Sequence, residues 1–305
     1  MTTVLPRGAG PDLGGAAGDL AAWFARTGRP LPWRQPPAPG PGPAGWGVLV
    51  SEVMLQQTPV DRVLPAWTAW MERWPQPADL AGAEPADVIR AWGRLGYPRR
   101  ALRLREAAIV IARDHDGLVP DDHDALLALP GIGEYTAGAV RAFAYGHRAL
   151  ALDTNVRRVI ARHDFGVDRP GPSVTVAERD RARELQPNED GDRWMAALME
   201  LGALVCTSRN PACEACPIAN GCRWLALGRP STPPARRQPA YEGSDRQARG
   251  ALLGILRASS GPVTQHALDH AWPDARQRAR ALDSLVADGL VMPVGDEQWA
   301  LPGER

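Results

Sequence analysis

Leu129-Pro130-Gly131-Ile132-Gly133-Glu134-Tyr135-Thr136-Ala137 is the stretch on which the fold turns. It lies between two segments of helical apolar spacing, Asp122–Ala128 and Glu134–Tyr145. Two glycines around one aliphatic residue allow a tight turn that brings backbone N–H groups to the surface. At the start of the next helix those groups, and the helix dipole, favour an anion such as phosphate. Ile132 is expected to be buried between the two helices. Gly-x-Gly alone also occurs in plain helix–helix turns. The flanking Leu-Pro and Tyr-Thr-Ala strengthen the reading of a contact to a nucleic-acid backbone, which positions without reading sequence.

Outward from this hairpin the pattern stays helical. Apolar recurrence predicts a helix from Asp19, with Leu20, Trp23 and Phe24 on one face. A helical stretch follows over Gly47–Trp74, then shorter ones over Ala86–Trp92, Ala101–Arg113 and Thr154–Arg162. Strand-like alternation is almost absent, so the body is read as all-α. Residues 1–18 read as a disordered tail, and Pro36–Gly45 as a stiff Pro/Gly loop. Residues 19–225 form the expected main domain and 226–245 a Pro- and Arg-rich linker. Residues 246–305 hold three short helices and a terminal hairpin, a pattern resembling a winged-helix module; a generic helical cap is equally compatible. A chain of 305 residues suits two domains.

The 35 basic and 35 acidic side chains cancel, so any nucleic-acid surface must be local. No apolar run approaches the ~20 residues that span a bilayer, and the N-terminus lacks a signal-peptide core. The expectation is a cytoplasmic protein with no membrane partner. All 35 basic residues are arginine. Without lysine side chains, Schiff-base catalysis through lysine is excluded.

Four cysteines form one cluster, Cys206, Cys213, Cys216 and Cys222, spaced C-x6-C-x2-C-x5-C. In a reducing compartment this even count does not imply disulfides. Structural zinc usually draws on two separated close pairs, whereas this pattern has one close pair and two outliers. Spacing alone leaves iron–sulfur and zinc both open. Two carboxylates stand out by context. Glu52 lies in the apolar run Ser51-Glu52-Val53-Met54-Leu55-Gln56-Gln57-Thr58, and Asp153 in Leu152-Asp153-Thr154-Asn155-Val156, just before a helix. Taken alone, Asp153 reads as a helix N-cap and Glu52 as a first-turn acid.

The Leu31–Arg34 segment Leu-Pro-Trp-Arg, the Glu52 run, Gly93-Arg94-Leu95-Gly96-Tyr97, the hairpin, the Asp153 stretch and the cysteine cluster occur in that order. Together, over residues 19–225, they resemble the adenine DNA glycosylases of the MutY type, in the helix-hairpin-helix superfamily of base-excision repair. That resemblance implies a helix-hairpin-helix glycosylase fold with a [4Fe–4S] cluster loop on Cys206, Cys213, Cys216 and Cys222. It implies an enzyme acting on double-stranded DNA that holds adenine opposite 8-oxoguanine or guanine; a monomer associated with the nucleoid is the expectation. The adenine leaves the stack and enters a pocket. By resemblance, Glu52 protonates the leaving base, while Asp153 steadies an oxocarbenium-like sugar or forms a transient adduct. Glu52 should then have a raised pKa and Asp153 stay ionised. Asn155 is expected to orient Asp153 or the attacking water, and Trp33 and Arg34 to line the pocket, although a core tryptophan is an equally fair reading of Trp33. Gln56, Gln57, Thr58, Tyr97, Gly131 and Gly133 are the implied DNA contacts, with Gln57 and Tyr97 as wedges. Arg209 and Arg223 would lend the cluster loop positive charge. Tyr135 stands where lyase-type relatives carry lysine, which implies a glycosylase without strand-cleaving activity.

Three departures matter. Pro98 follows Tyr97 where many relatives have a second tyrosine, which puts the wedge geometry in question. Ala196 replaces a Glu or Gln often found ten residues before the first cysteine, so one adenine contact is in doubt. Nothing after Pro239 resembles the Nudix-like domain many relatives carry, and weaker discrimination of 8-oxoguanine from guanine is the expectation. Two rivals remain: a thymine or uracil mismatch glycosylase, and a non-catalytic iron–sulfur DNA-binding protein.

Overall fold

Leu20 and Trp23 recur at the interval that turns one helix face inward, and α1 (Ala17–Thr27) buries both. The computed structural model describes residues 12–34, 45–232 and 240–304. The expected Pro/Gly loop, apart from Gly45, lies outside the described residues, as do 1–11 of the expected tail and 233–239 of the expected linker. Within the expected tail, Leu13 is 0% exposed and joins the cluster around Leu20, Val159 and Ile160. Leu13 and Ala16 extend the apolar face of α1 backwards, so packing orders a turn whose Gly/Ala composition reads as unstructured.

Further helices are α2 (Trp46–Leu55), α3 (Val60–Arg73), α4 (Pro77–Ala81), α5 (Pro85–Trp92) and α6 (Arg99–Asp114). Then come α7 (His123–Ala128), α8 (Glu134–Tyr145), α9 (Thr154–His163), α10 (Val176–Leu185), α11 (Gly191–Leu204) and α12 (Arg223–Ala226). The stretch expected to be helical from Gly47 to Trp74 is broken in two, because Gln57 takes a left-handed φ of 58° and Pro59 is extended. The short α4 and α12, and the two longer helices α10 and α11, have no counterpart among the expected elements. No helix among the described residues is long and apolar enough to cross a membrane.

Packing divides the chain into two compact units. One draws on residues 1–52, 120–128 and 132–234, the other on 53–119, 129–131 and 235–305. In the first, α11 packs on α9, α1 and α8, around Leu20, Trp23, Val156, Ile160, Leu198 and Leu201. Contact between α11 and α9 is close because of Gly202: a Cβ there would lie 2.7 Å from the Cβ of Asn155. In the second unit, α4 and α5 pack on α6, and Trp70 meets Trp74 and Trp92 edge-on.

The C-terminal residues of the second unit form α13 (Asp245–Ala258), β1 (Val263–Thr264), α14 (Gln265–Ala271), α15 (Ala275–Ala287), β2 (Met292–Pro293) and β3 (Gln298–Ala300). The strands pair antiparallel in the order β1-β3-β2, with Val263 opposite Trp299 and Met292 opposite Ala300. Helices and a terminal hairpin thus lie where the sequence puts them, with β1 added as a third strand. The division expected at residues 226–245 does not match the packing, however. Leu252, Leu253 and Leu256 of α13 and Leu282 and Leu285 of α15 share one apolar cluster with Ala86 and Ile89 of α5. Arg257 Nε donates to the Ile89 carbonyl at 3.0 Å, Arg90 donates to the Ser259 carbonyl at 2.7 Å, and Arg90 also pairs with Glu304. Ala86 and Ile89, one turn apart, give α5 an apolar face that these residues help to cover. Deleting residues 245–305 is therefore expected to lower the melting temperature by several degrees and expose apolar surface to dye. A truncated protein that melts like the full chain would contradict the shared core.

Candidate active site

Asp153 is the N-cap of α9. Its Oδ1 accepts from the backbone N–H of Asn155 (2.9 Å) and Val156 (2.7 Å), and its Oδ2 from Asn155 Nδ2 (2.7 Å). The capping reading is thus correct, and the same bonds fix the carboxylate's direction. Asn155 Oδ1 accepts from Arg158 Nη2 at 2.8 Å, and that guanidinium also donates to the carbonyls of Gly202 (2.6 Å) and Cys206 (2.7 Å). A continuous set of hydrogen bonds therefore runs from Asp153 to the start of the cysteine loop.

Glu52, on α2, is 3% exposed. Tyr135, in the first turn of α8, donates its hydroxyl to Glu52 Oε2 at 2.8 Å. Burial pushes the Glu52 pKa up to about 7. The Tyr135 bond and the charge of Arg34 oppose that rise, and the charge of Asp153 adds to it. Burial, with the negative charges of Glu52 and Asp153, holds Tyr135 well above an ordinary phenol, so it stays a donor. Burial raises the Asp153 pKa too, against the bonds from Val156 and Asn155 and the charge of Arg158. Two carboxyl groups and a phenol thus act on one another within the first unit, and the one held at about 7 is Glu52.

Arg34 ends a 3-10 turn (Pro32–Arg34) after α1, over the Phe24 ring at 5.4 Å. Trp33 is buried, as a core tryptophan is. Gly131 takes φ 79°, and a Cβ there would sit 2.8 Å from the Arg103 Cβ; Gly133 is extended and opens onto free space at the N-terminus of α8. Ile132 is buried as expected.

The two expected wedges lie in the second unit, on two turns. Gln57 (φ 58°) and Tyr97 (φ 46°, 51% exposed) are both non-glycine residues in the left-handed region. Arg100, which the sequence reading missed, donates to the carbonyls of Val53 and Met54 (2.5 and 3.2 Å), to Thr58 Oγ1 (3.2 Å) and to the Gly96 carbonyl (3.0 Å). It thereby ties both turns together, and its guanidinium lies over the Tyr97 ring at 5.8 Å. Pro98 is the residue before α6, where its fixed φ starts the helix. Gln56 is half-buried. Thr58 is a correction to its expected place at DNA: it is buried, and its hydroxyl donates to the Leu95 carbonyl at 2.9 Å. A small hydroxyl residue at a tight turn satisfies backbone groups more readily than it reaches a ligand.

All four cysteines are free thiols. Arg162 Nη1 lies 3.5 Å from Cys206 Sγ, its carbonyl 3.9 Å from Cys222 Sγ, and its guanidinium stacks on Trp224 at 4.5 Å. Burial pushes the Cys216 thiol up to about 11 and raises Cys222, and in both cases charge on the other cysteines adds to the rise. The sulfurs therefore share one region where bare thiolates repel and a cationic core is called for. Four thiols in one short loop are a donor set that an iron–sulfur cluster and a tetrahedral zinc can both use.

Comparison with known proteins places this geometry. Residues 50–184 match the family of HhH-GPD superfamily base excision DNA repair proteins, and residues 206–222 match the iron–sulfur binding domain of endonuclease III. An adenine DNA glycosylase of Mycobacterium tuberculosis is 53% identical over 94% of this chain and 93% of its own length. The chain belongs to the adenine DNA glycosylase family. A second family member, from Mycolicibacterium smegmatis, is 52% identical over 94% of this chain and 96% of its own. The solved structure of a thermostable thymine-DNA glycosylase, 24% identical, aligns with a TM-score of 0.60 over 69% of this chain and 95% of that one, and so shares the fold. As an adenine DNA glycosylase family member, the chain is a base-excision repair DNA glycosylase with the helix-hairpin-helix fold and a [4Fe–4S] cluster. The zinc alternative is set aside by the iron–sulfur domain match.

Glu200, 0% exposed on α11, is a buried acid the sequence reading missed. The signal was present: it is a lone acid in Ala-Ala-Leu-Met-Glu-Leu-Gly-Ala-Leu, the same context that singled out Glu52.

Proposed function

We propose that this protein removes adenine mispaired with 8-oxoguanine or guanine from double-stranded DNA, by hydrolysis of the N-glycosidic bond. The observation that carries the reading is the buried Tyr135–Glu52 pair beside the capped Asp153. Glu52, protonated up to about pH 7, delivers its proton to the departing purine. Asp153 offers negative charge to the sugar as the bond breaks, and Asn155 keeps it aimed. Water completes the hydrolysis at C1′, leaving free adenine and an abasic site. Trp33 and Arg34 border the base, while Gln57 and Tyr97 fill the gap it leaves. The [4Fe–4S] cluster, held by Cys206, Cys213, Cys216 and Cys222, shapes the loop that carries exposed Arg209. The hairpin N–H groups at Gly131 and Gly133 take backbone phosphate. The enzyme acts as a monomer, in the nucleoid.

The experiment is single-turnover excision on duplexes holding adenine opposite 8-oxoguanine, adenine opposite guanine, and thymine or uracil opposite guanine. Release from the first two supports the reading; release only from the guanine–pyrimidine pairs would assign the rival chemistry. Discrimination between 8-oxoguanine and guanine is expected to be small, and a rate on 8-oxoguanine many times higher would overturn that part.

With no lysine and Tyr135 in the hairpin, borohydride is expected to trap no protein–DNA adduct and strand breaks to appear only after alkali. Borohydride-trapped protein would contradict this. Arg100→Ala is expected to slow excision by tenfold or more, because both wedge turns lose their shared anchor. Unchanged excision on well-folded variant protein would show that the turns hold without it.

A further inference from the structure

Glu200 gathers two arginines. Its Oε1 accepts from the backbone N–H of Arg29 (2.9 Å) and from Arg29 Nε (2.7 Å), and its Oε2 from Arg29 Nη2 (2.8 Å) and Arg34 Nη2 (2.8 Å). Arg29 is thus held by three bonds and Arg34 by one. Burial pushes the Glu200 carboxyl up, yet the bonds from Arg29 and Arg34 outweigh it and keep it ionised. One carboxylate against two guanidiniums leaves a surplus positive charge. Ala196, one turn earlier on the same helix face, supplies no polar group of its own.

We propose that Glu200 is a positioning residue for base excision: it holds the Arg34 guanidinium, whose Nη1 also donates to the Arg29 carbonyl at 3.4 Å, where its charge acts on the Glu52 carboxyl and its outer edge meets ring nitrogens of the expelled purine. This rests on the reading of Glu52 as the proton donor. Three groups act on Glu52: Tyr135 from α8, Asp153 from the start of α9, and Arg34 from the turn after α1. Arg34 is the cation among them, and its charge favours the ionised form of Glu52. With Glu200 neutral, two guanidiniums crowd an uncharged acceptor, and Arg34, tied to Glu200 by a single bond, moves away.

The test is single-turnover adenine release against pH, opposite 8-oxoguanine, for wild type, Glu200→Gln, Arg34→Gln, the double variant and Glu200→Asp. Glu200→Gln is expected to move the alkaline fall of the rate to higher pH by roughly half a unit or more, in the same direction as Arg34→Gln. At the low-pH plateau it should also slow release by about tenfold, through lost contact with the purine. The double variant should be no slower than the slower single variant within about twofold, since both remove one interaction. Glu200→Asp, which keeps the charge, should return the midpoint to that of wild type. An unmoved midpoint in Glu200→Gln, or effects of the two changes that multiply, would overturn the inference while leaving the reading of Glu52 intact. If Glu200→Gln does not fold, Arg34→Gln alone decides: an unmoved midpoint there overturns it as well. A wild type that releases no adenine removes the reading and the inference together.

Discussion

Glu52→Gln protein is expected to release adenine ~10²–10⁴-fold more slowly than wild type while binding the mispaired duplex as tightly. Gln keeps the size of the side chain and an acceptor for the Tyr135 hydroxyl, which donates to Glu52 Oε2 at 2.8 Å, but has no proton to give. Single-turnover excision and a gel-shift titration separate the two effects; equal loss of binding and excision would point to a structural role. The same substitution has a stability signature of known sign. The Glu52 carboxyl rises from its ordinary 4.5 to about 7 in the folded protein. Between those values the folded state binds more protons than the unfolded one, so stability is greatest below pH 4.5 and is lost as pH rises through about 7. Glu52→Gln removes that loss. At pH 8 it is expected to melt several degrees above wild type, and the gap should close towards pH 4.5. A site kept at the cost of stability is what a functional acid requires.

Asp153→Asn is the second large effect, with excision expected to fall ~10²–10³-fold. Asparagine is as good an N-cap as aspartate, so the bonds from the N–H groups of Asn155 and Val156 persist. What disappears is the negative charge, and the amide now faces the Asn155 amide that donates to Oδ2 at 2.7 Å. The helix should therefore hold, with a loss of about 1 kcal/mol, while chemistry collapses. Asp153→Ala would add loss of the cap, about 0.5–2 kcal/mol. Thermal melts beside excision rates distinguish the roles: if Asn and Ala lower stability equally and Asn retains activity, the carboxylate is a cap and nothing more.

The hairpin, Glu52 and the cysteine loop were legible because each breaks a local rule, and Asp153 because it stands where a helix cap is expected. Gly-Ile-Gly interrupts two helices, Glu52 is an acid in an apolar run, and four cysteines fall within one short loop. Most of the helices were legible from apolar spacing, with ends within a few residues. What spacing could not supply was partnership. Leu13 sits in a Gly/Ala-rich stretch and is buried in a cluster that residues of α9, α10 and α11 build far along the chain. The C-terminal residues read as a separate module because their own pattern is complete; the exposed apolar face of α5 that they cover lies some 160 residues earlier in the chain. Glu200 and Arg100 went unread for the same reason. A buried charge announces itself only through the groups that neutralise it, and Arg29 lies 171 residues from Glu200. Thr58 shows the reverse case, a residue inside a recognised motif whose side chain serves the turn and not a ligand.

The most direct single measurement is the rate of free adenine release from a duplex with one adenine opposite 8-oxoguanine, followed from pH 5 to pH 9 with strand breaks scored before and after alkali. With Glu52 protonated up to about 7, the expected rate is flat at low pH and falls as pH rises through about 7, with breaks only after alkali. A rate that climbs across that range, or strands already cut without alkali, would contradict proton donation by Glu52 as the step that frees the base.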